Sequence, residues 1–475
     1  MKIEQLYTGC LSQGTYYIKS NGEAAIIDPL REISQYLDKA KKDKVKIKYI
    51  FETHFHADFV SGHVTLSEKT NAPIIYGPLA NPSYDAHIAK DEEIFNVGNI
   101  KIKAIHTPGH TIESTTYLLY DENNKEHSIF SGDTLFLGDV GRPDLAQKAA
   151  NMTQEQLAGM LFDSLRSKIM CLPDTVLVYP AHGAGSSCGK KMMKQTVDTL
   201  GSQKRTNYAL RKNMSKKEFV NEVLNGLESP PEYFPSNVKL NKEGYKSIET
   251  ILSNAKKEIK PKNIENIISE TGAIILDLRK PEEFAREHIP NSIFIGLDGN
   301  FAPWVGELIV DIKQPLILIV AENREEEAIT RLSRVGFDNT LGVLSGGIEA
   351  WKKHGKEVDD INSVPAIDFE KIYDLAKDNV FDVRKNSEYK SKHILSAQNT
   401  PLNHINEFLD YFPEFGYFYI HCASGYRSMI AASILKSRGI HNLINIEGGI
   451  KEIEKTNILI SESTCPSQLN KKRKK

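Results

Sequence analysis

The stretch KYIFETHFHADFVSGH, residues 48–63, decides the fold class of the first part of the chain. An apolar, strand-like run is followed at once by His54, His56 and Asp58, and alternate residues of extended backbone point to one side. Three further side chains each follow a β-rich run and lie beside glycine: His110 in HTPGHT, Asp133 in SGDTLF and His182 in YPAHG. Ligands gather at strand ends in α/β sheets, so these six residues predict a metal site rather than separately buried histidines.

The surrounding sequence indicates an α/β domain. Short β-rich runs such as AAIID, APIIYG and TVLVYP alternate with helical stretches from Lys2 to about Tyr179. Residues 190–228 are lysine-rich with apolar side chains at helical spacing, and the prolines of SPPEYFP then favour extended backbone. We therefore expect the first domain to span residues 1–254.

Chain length, charge balance and cysteine number exclude several classes of protein. A chain of 475 residues is about three times an ordinary domain, so several separate cores are expected. With 60 Lys and Arg against 62 Asp and Glu, no net charge favours nucleic acid, and no apolar run is long enough for a membrane span. Five scattered cysteines and an N-terminus without a signal-peptide pattern predict free thiols and a cytoplasmic location. The basic residues 466–475 are expected to form a disordered tail.

An internal repeat organises the second half of the chain. DLRKPEEFAREHIPNS, from Asp277, aligns without a gap to DVRKNSEYKSKHILSA, from Asp382. Each copy continues with an apolar strand, a helical segment and a Gly-Gly-Ile turn, which predicts a parallel sheet with helices on both faces. We expect two copies of one small α/β domain, at residues 255–358 and 359–465.

The histidine and aspartate motif resembles the metallo-β-lactamase superfamily, whose signature is H-x-H-x-D-H followed by separate His, Asp and His ligands. The resemblance covers about residues 1–200 and implies an αββα sandwich. The position after Asp58 is Phe59, where the two-metal hydrolases of this superfamily have histidine. Phenylalanine cannot bind a metal, so the second metal position is depleted and two-metal hydrolysis is disfavoured. His63 could replace the missing ligand, but we interpret it as a turn or helix-start residue.

Within the superfamily the chain looks most like the persulfide dioxygenases, which hold a single Fe(II). Carried over by motif, the ligands are His54, His110 and Asp133, for one Fe(II) per chain, with zinc as the alternative metal. The resemblance leaves three residues to orient ligands or hold water: His56, Asp58 and His182.

Two further residues are candidates for substrate binding. Arg142, in GRPDLA, lies near the thiol carrier in this family, or it belongs to a surface turn capped by Asp144. After His182 the chain runs GAGSSCGKK, where the glutathione-using members have an Asp-Tyr pair, so the thiol carrier stays open. Cys188 in that run either relays sulfur or is a small buried apolar side chain.

A cysteine loop follows the last apolar strand. YFYIH leads into Cys422, then Ala-Ser-Gly-Tyr, Arg427 and a helical run. A thiol at a strand end and a helix N-terminus is ringed by N–H groups that stabilise a thiolate, so Cys422 and Arg427 are the catalytic candidates. With Asp-Val-Arg at 382–384 and with His393, the loop resembles rhodanese-type sulfurtransferases. Cysteine phosphatases have five residues between Cys and Arg, and the four present here form a smaller ring that suits one sulfur atom.

The first copy lacks this nucleophile. Its equivalent run is PLILIVAENREEEAI, with Ala321 or Glu322 where the cysteine should stand. Three glutamates at the following helix start would repel an anion. We expect an inactive rhodanese-type domain.

The domain order resembles the fused persulfide dioxygenase-sulfurtransferases of bacterial sulfide detoxification. The resemblance implies that a low-molecular-weight thiol persulfide is oxidised with O2 to sulfite, and that a Cys422 persulfide converts sulfite to thiosulfate. A homo-oligomer is expected. Two alternatives stay open: a zinc-dependent thioester hydrolase of the glyoxalase II type with accessory rhodanese modules, and a sulfur carrier without turnover.

Overall fold

The computed structural model describes residues 1–375 and 377–461, without the side chains of residues 148 and 149. The expected tail at 466–475 lies outside the described residues. The chain forms two compact units: the first contains Met1–Ile251, Val310–Ile312 and Thr330–Phe337, and the second contains Leu252–Ile309, Lys313–Ile329 and the residues from Asp338 onwards. The expected division into three domains stays a prediction.

Two six-stranded sheets build the first unit. The strands of one sheet, which pair in chain order, are β1 (Lys2–Thr8), β2 (Gln13–Ser20), β3 (Glu23–Ile27), β4 (Lys46–Phe51), β5 (Ile74–Tyr76) and β6 (His87–Ile88). The strands of the other, which also pair in chain order, are β7 (Ile94–Val97), β8 (Ile100–His106), β9 (Thr115–Tyr120), β10 (Glu126–Gly132), β11 (Leu177–Pro180) and β12 (Asp198–Thr199). Apolar side chains from both sheets form one core, including Ile18, Phe51, Ile102, Tyr117 and Phe130.

Helices cover the outer face of each sheet. The helices of this unit and its boundary are α1 (Ser34–Asp43), α2 (His63–Thr70), α3 (Gln147–Ala150), α4 (Gln154–Ser164), α5 (Leu200–Thr206), α6 (Lys216–Leu224), α7 (Phe234–Glu243) and α8 (Ile248–Ala255). Tyr36 of α1 and Leu66 of α2 pack on the first sheet, whereas Leu161 of α4 and Phe219 of α6 pack on the second. The predicted αββα sandwich is confirmed.

The segment Thr330–Phe337 joins the first unit through two arginines. Arg31 is fully buried and donates from Nη1 to the carbonyl of Ser333 at 2.7 Å. Arg334 pairs with Glu32. A buried guanidinium needs such acceptors, so these contacts hold the segment in place.

Two five-stranded parallel sheets build the second unit. The first consists of β13 (Glu258–Ile259), β14 (Ile274–Asp277), β15 (Ile293–Phe294), β16 (Leu316–Ile319) and β17 (Thr340–Leu344), in the order β13-β17-β16-β14-β15. The second consists of β18 (Ser363–Pro365), β19 (Asn379–Asp382), β20 (Gln398–Asn399), β21 (Phe418–His421) and β22 (Leu443–Glu447), in the order β18-β22-β21-β19-β20. The two sheets share one strand order, so the predicted internal repeat is confirmed.

The helices that follow these strands are α9 (Pro261–Thr271), α10 (Pro281–Arg286), α11 (Phe301–Leu308), α12 (Glu325–Arg334), α13 (Gly347–Lys353), α14 (Ala366–Ile372), α15 (Asn386–Ser391), α16 (Tyr426–Ser437) and α17 (Ile450–Ile453). Helix α16 is buried from Ser428 to Leu435 because small and apolar residues occupy all of its faces there. Within the described part of the chain, no helix combines the length and the apolar character that a bilayer crossing demands.

Candidate metal centre and cysteine loop

The three predicted metal ligands lie together at strand ends. His54, His110 and Asp133 follow β4, β8 and β10, and one ligand atom of each lies within 4.8 Å of the others. His54 Nε2 and His110 Nε2 lie 3.9 Å and 3.5 Å from Asp133 Oδ2. All three side chains are buried. Two imidazole nitrogens and one carboxylate oxygen facing one point form a 2-His-1-carboxylate set.

Hydrogen bonds on the far side of each ring determine which nitrogen faces this point. The carbonyl of Arg142 lies 2.8 Å from His110 Nδ1 and can only accept, so Nδ1 carries the proton. Thr53 Oγ1 donates to Asp28 Oδ2 at 2.9 Å and therefore accepts from His54 Nδ1 at 3.0 Å. Both rings thus turn Nε2, and not Nδ1, towards the common point, and Nε2 is the nitrogen through which each ring could bind a metal.

The electrostatics of the cluster fit a divalent cation. Burial, with the neighbouring His56, lowers the pKa of His54 well below its ordinary value, so its ring is neutral. Burial would raise the pKa of Asp133, but the charge of His182 and its hydrogen bond to the carboxylate outweigh burial and lower that pKa. Asp133 Oδ2 is buried and accepts no hydrogen bond from the described residues. A buried carboxylate oxygen that has no hydrogen-bond donor and faces two imidazole nitrogens is a favourable position for a cation.

The three predicted supporting residues take two different positions. His56 Nε2 lies 3.1 Å from Asp28 Oδ1 and 3.7 Å from Glu52 Oε2, so this nitrogen is engaged by carboxylates outside the ligand set. His182 lies between two aspartates, with Nδ1 at 2.8 Å from Asp133 Oδ1 and Nε2 at 2.8 Å from Asp58 Oδ2. Burial alone would lower the pKa of His182, but the two carboxylates raise it well above its ordinary value. His182 therefore engages Oδ1 of Asp133 and leaves Oδ2 for the metal.

Arg142 is fixed by its neighbours. Its Nε and Nη2 each donate to Asp144 at 2.7 Å, and Nη2 also donates to the carbonyl of Glu228 at 2.6 Å. These contacts favour the turn interpretation for the side chain. A direct role in binding the thiol carrier stays a prediction.

Cys188 lies beside polar groups as well as being buried. Its Sγ belongs to a group with Asp58 and His182 whose ligand atoms lie within 4.8 Å of one another. Burial, followed by the charges of Asp58 and Asp133, raises the pKa of the thiol well above its ordinary value. Whether Cys188 relays sulfur or only packs in the interior stays a prediction.

Phe59 stands at the position where the two-metal hydrolases of the superfamily have a histidine, and His63 lies four residues further on. Phe59 is fully buried, with its ring centroid 4.3 Å from that of His56. His63 is the first residue of α2, and its Nε2 lies 2.6 Å from the Tyr84 hydroxyl. His63 Nδ1 faces a carboxylate and lies 3.5 Å from Glu52 Oε1.

In the second unit, Cys422 directly follows β21 and α16 begins at Tyr426. The N–H of Gly425 donates to Cys422 Sγ at 3.1 Å, and Gly425 has a φ of 102°, which glycine adopts without strain. Behind the loop, a Cβ on Gly449 would lie 2.3 Å from the carbonyl oxygen of Cys422, which accepts from Ile450 N at 2.8 Å. The Gly-Gly-Ile turn thus packs against the cysteine loop, a role that the sequence pattern alone did not reveal.

Two contacts hold the residues that follow Cys422. The Nη1 and Nη2 groups of Arg427 donate to the two carboxylate oxygens of Glu388 at 2.6 Å and 2.8 Å. The Tyr426 hydroxyl donates to the carbonyl of Gly296 in the first copy at 2.7 Å. A Cβ on Gly299 would lie 2.3 Å from the Tyr426 ring. The first copy therefore supports the loop of the second, although it has no nucleophile of its own.

The strand register identifies the equivalent of Cys422 in the first copy. Asp277 pairs with Ile319 as Asp382 pairs with His421, so the residue after the strand is Val320. Counting back from the first residue of α12 gives Ala321 instead, because the first copy has one more residue between strand and helix. Glu322 is equivalent to Cys422 by neither count. Neither valine nor alanine can act as a nucleophile.

Family models match both parts of the chain. A metallo-beta-lactamase superfamily model matches residues 8–182, and a rhodanese-like domain model matches residues 260–354 and 367–456. The chain is 30% identical over 215 residues to persulfide dioxygenase ETHE1 of Bos taurus, covering 45% of this chain and 75% of that protein. It is 29% identical over 177 residues to the hydroxyacylglutathione hydrolase of Dictyostelium discoideum, covering 34% of this chain and 62% of that protein. The chain spans about three fifths of the length of several such hydrolase relatives.

A solved structure extends the likeness beyond the first domain. A crystal structure of a metallo-beta-lactamase from Staphylococcus aureus is 33% identical and has a TM-score of 0.63. The match covers 72% of this chain and 98% of that chain. The protein therefore belongs to the metallo-β-lactamase superfamily, and its superfamily domain is followed by two rhodanese-like domains.

Proposed function

We propose that the protein is a non-heme iron persulfide dioxygenase fused to a sulfurtransferase. The observation that carries the proposal is the convergence of His54 Nε2, His110 Nε2 and Asp133 Oδ2 in a chain that also holds Cys422 in a rhodanese-type loop. Relatives named persulfide dioxygenase support the choice of reaction. These three side chains would hold one Fe(II) ion per chain, which would supply the redox chemistry that oxidation by O2 needs.

The residues of the chain would prepare this centre in three ways. Thr53 and the Arg142 carbonyl hold the two imidazoles with Nε2 forward. His182 holds Asp133 through Oδ1 and keeps a proton between two carboxylates. Phe59, buried with its ring against that of His56, would keep a third imidazole out of the position that follows Asp58. The net oxidation is RSSH + O2 + H2O giving RSH, sulfite and two protons.

Cys422 would carry the second sulfur. Its thiolate attacks the outer sulfur of a second thiol persulfide, forming a Cys422 S–S bond while the thiol RSH leaves with the proton. Sulfite then attacks the outer sulfur of the Cys422 persulfide, so that thiosulfate leaves and the thiolate returns. The N–H of Gly425 stabilises negative charge on Sγ in both steps, and Arg427 would attract the anionic sulfite.

The decisive experiment compares oxygen uptake and sulfur products in chains loaded anaerobically with Fe(II). With a thiol persulfide, we expect oxygen uptake that is lost in His110→Ala. Cys422→Ser should shift the product from thiosulfate to sulfite, whereas Cys171→Ser, at an exposed free cysteine, is the matched control. Lack of oxygen uptake with glutathione, coenzyme A and bacillithiol persulfides would refute the dioxygenase. Unchanged thiosulfate in Cys422→Ser would refute the role of that residue.

The hydrolase alternative is favoured by the retained Asp58 and His182 and by the hydroxyacylglutathione hydrolase relatives. It predicts thioester hydrolysis by the zinc-loaded chain at a rate that does not depend on O2. The carrier alternative predicts Cys422 persulfide without repeated turnover. Cytoplasmic location and assembly into a homo-oligomer stay predictions.

A further inference from the structure

A buried histidine stands directly before the cysteine of the second copy. His421 is the last residue of β21, and Cys422 follows it. By strand pairing, His421 lies opposite Asp382, just as Ile319 lies opposite Asp277 in the first copy. Both positions are buried, so burial does not explain why one holds an imidazole and the other an aliphatic side chain. The imidazole accompanies the copy that has a nucleophile.

The ring of His421 carries its proton on Nδ1. Burial lowers the pKa of His421 and outweighs the opposing effect of the Asp382 carboxylate, so the ring is neutral at pH 7. Nδ1 lies 3.2 Å from the carbonyl oxygen of Cys422, which can only accept, so Nδ1 donates. Nε2 lies 3.9 Å from Asp382 Oδ2, and that carboxylate is engaged by the guanidinium of Arg384. The one proton of the ring therefore acts on the backbone of Cys422.

The carbonyl held by His421 belongs to the first peptide of the cysteine loop. The Cys422 carbonyl also accepts from Ile450 N at 2.8 Å, and the Ala423 carbonyl accepts from Lys451 N at 3.3 Å. Both carbonyls thus face the Gly-Gly-Ile turn. In a trans peptide the N–H points opposite to the C=O, and the described chain has no cis peptide bond. The N–H groups of Ala423 and Ser424 therefore point away from the turn.

We propose that His421 is a positioning residue for Cys422, whose Nδ1–H fixes the first loop peptide so that the following N–H groups turn towards the sulfur. There they would join the N–H of Gly425, which donates to Sγ at 3.1 Å. Backbone N–H groups around a sulfur stabilise a thiolate or persulfide anion. Ile319 has no donor, in keeping with a first copy that has no sulfur anion to hold. The inference rests on the proposed sulfurtransferase function of Cys422.

Three substitutions at one position test the proposal. His421→Ile introduces the side chain that the first copy has there and removes the donor. His421→Asn keeps an N–H donor close to the place of Nδ1, whereas the longer side chain in His421→Gln carries its N–H closer to the place of Nε2. The measurement is alkylation of Cys422 by iodoacetamide at pH 7 in the reduced, full-length chain, followed by mass spectrometry of its peptide. Cys171, an exposed free cysteine, is the internal reference in each sample.

We expect His421→Ile to slow alkylation of Cys422 relative to Cys171 by roughly 2- to 10-fold, as for the loss of one hydrogen bond. A thiolate with less stabilisation is less populated and reacts more slowly. His421→Asn should recover most of the wild-type ratio, and His421→Gln should not. His288→Ile is the matched control, because His288 is also buried and its Nδ1 donates to the Phe284 carbonyl at 2.9 Å in the first copy. This control should leave the ratio unchanged.

Two results would overturn the proposal: a wild-type ratio in His421→Ile, or the same ratio in His421→Asn and His421→Gln. Circular dichroism shows whether each variant is folded, and the comparison of His421→Asn with His421→Gln decides the matter if His421→Ile does not fold. Alkylation needs no sulfur substrate, so its outcome is independent of the proposed function, which fails separately if Cys422→Ser forms as much thiosulfate as the wild type.

Discussion

Replacing Thr53 with valine tests whether the hydrogen bonds behind His54 prepare the first metal site. Valine keeps the shape of threonine but lacks the hydroxyl, so two hydrogen bonds are lost, at 3.0 Å to His54 Nδ1 and at 2.9 Å to Asp28 Oδ2. Asp28 keeps the N–H of Thr53 at 2.8 Å. Each buried group left without its partner costs about 1 to 3 kcal/mol.

We expect Thr53→Val to weaken metal binding about 10- to 100-fold, as loss of a partner behind a ligand typically does. That range corresponds to about 1.4 to 2.7 kcal/mol. The assay is competition for Zn(II) between the chain and a chromophoric chelator.

Thr116→Val is the matched control for this change. Thr116 is equally buried, and its hydroxyl is hydrogen-bonded at 3.0 Å to that of Thr107 and not to one of the predicted metal ligands. We expect this variant to unfold more easily but to bind zinc as before. Equal zinc affinity in Thr53→Val and its parent, or an equal loss in both variants, would refute the reasoning.

Three further predictions concern the second unit. Burial lowers the pKa of His288 to about 4, so the unfolded chain takes up a proton first as the pH falls. Stability should therefore decrease by about 2 to 3 kcal/mol between pH 6.5 and pH 4.5, and urea unfolding should show a smaller decrease in His288→Gln. Glu388→Gln should remove the negative charge that pairs with Arg427. Alkylation of Cys422 by anionic iodoacetate should then increase severalfold relative to alkylation by neutral iodoacetamide, roughly as expected from losing one nearby negative charge. An unchanged ratio of the two rates would contradict this. Gly299→Ala places a Cβ 2.3 Å from the Tyr426 ring. This variant should transfer sulfur to cyanide more slowly than the wild type, and an equal rate would contradict the prediction.

The sequence was sufficient for the fold because its signals are periodic. Alternating β-rich runs predicted a mixed layout of strands and helices, and the family resemblance implied the sandwich. The gapless match of the segments that begin at Asp277 and Asp382 predicted two copies of one α/β domain, and the two sheets share one strand order. Ligand types at strand ends gave six candidates, since strand ends meet at one edge of a sheet. The family resemblance then singled out His54, His110 and Asp133, whose ligand atoms lie within 4.8 Å of one another.

The hydrogen bonds that position the site residues could not be predicted, because residue types do not encode them. The Arg142 carbonyl holds His110, and any residue has a carbonyl. Glu388 pairs with Arg427 across two helices, and nothing in either segment indicates that pairing. Asp28, which accepts a hydrogen bond from Thr53, could have been predicted as a site residue. It stands at the end of the apolar run AAIID, just as the candidate metal ligands follow apolar runs of their own.

The sequence also did not reveal that the first copy has one more residue between strand and helix than the second. Strand pairing with Asp277 and Asp382 places Val320 opposite Cys422, whereas counting back from the helix start places Ala321 there. An insertion inside a loop leaves both flanking patterns intact, so only strand pairing locates it.

The fixed orientation of the two histidines has a kinetic consequence. Because His54 and His110 already hold their protons on Nδ1, an arriving ion does not wait for a ring to flip or for a proton to move. Loading should then be limited by how fast the ion sheds its water, so that metals with rapid water exchange would enter first. Which metal finally occupies the site would be decided by dissociation rates and by cellular supply, since the protein scaffold imposes little rearrangement on any of them.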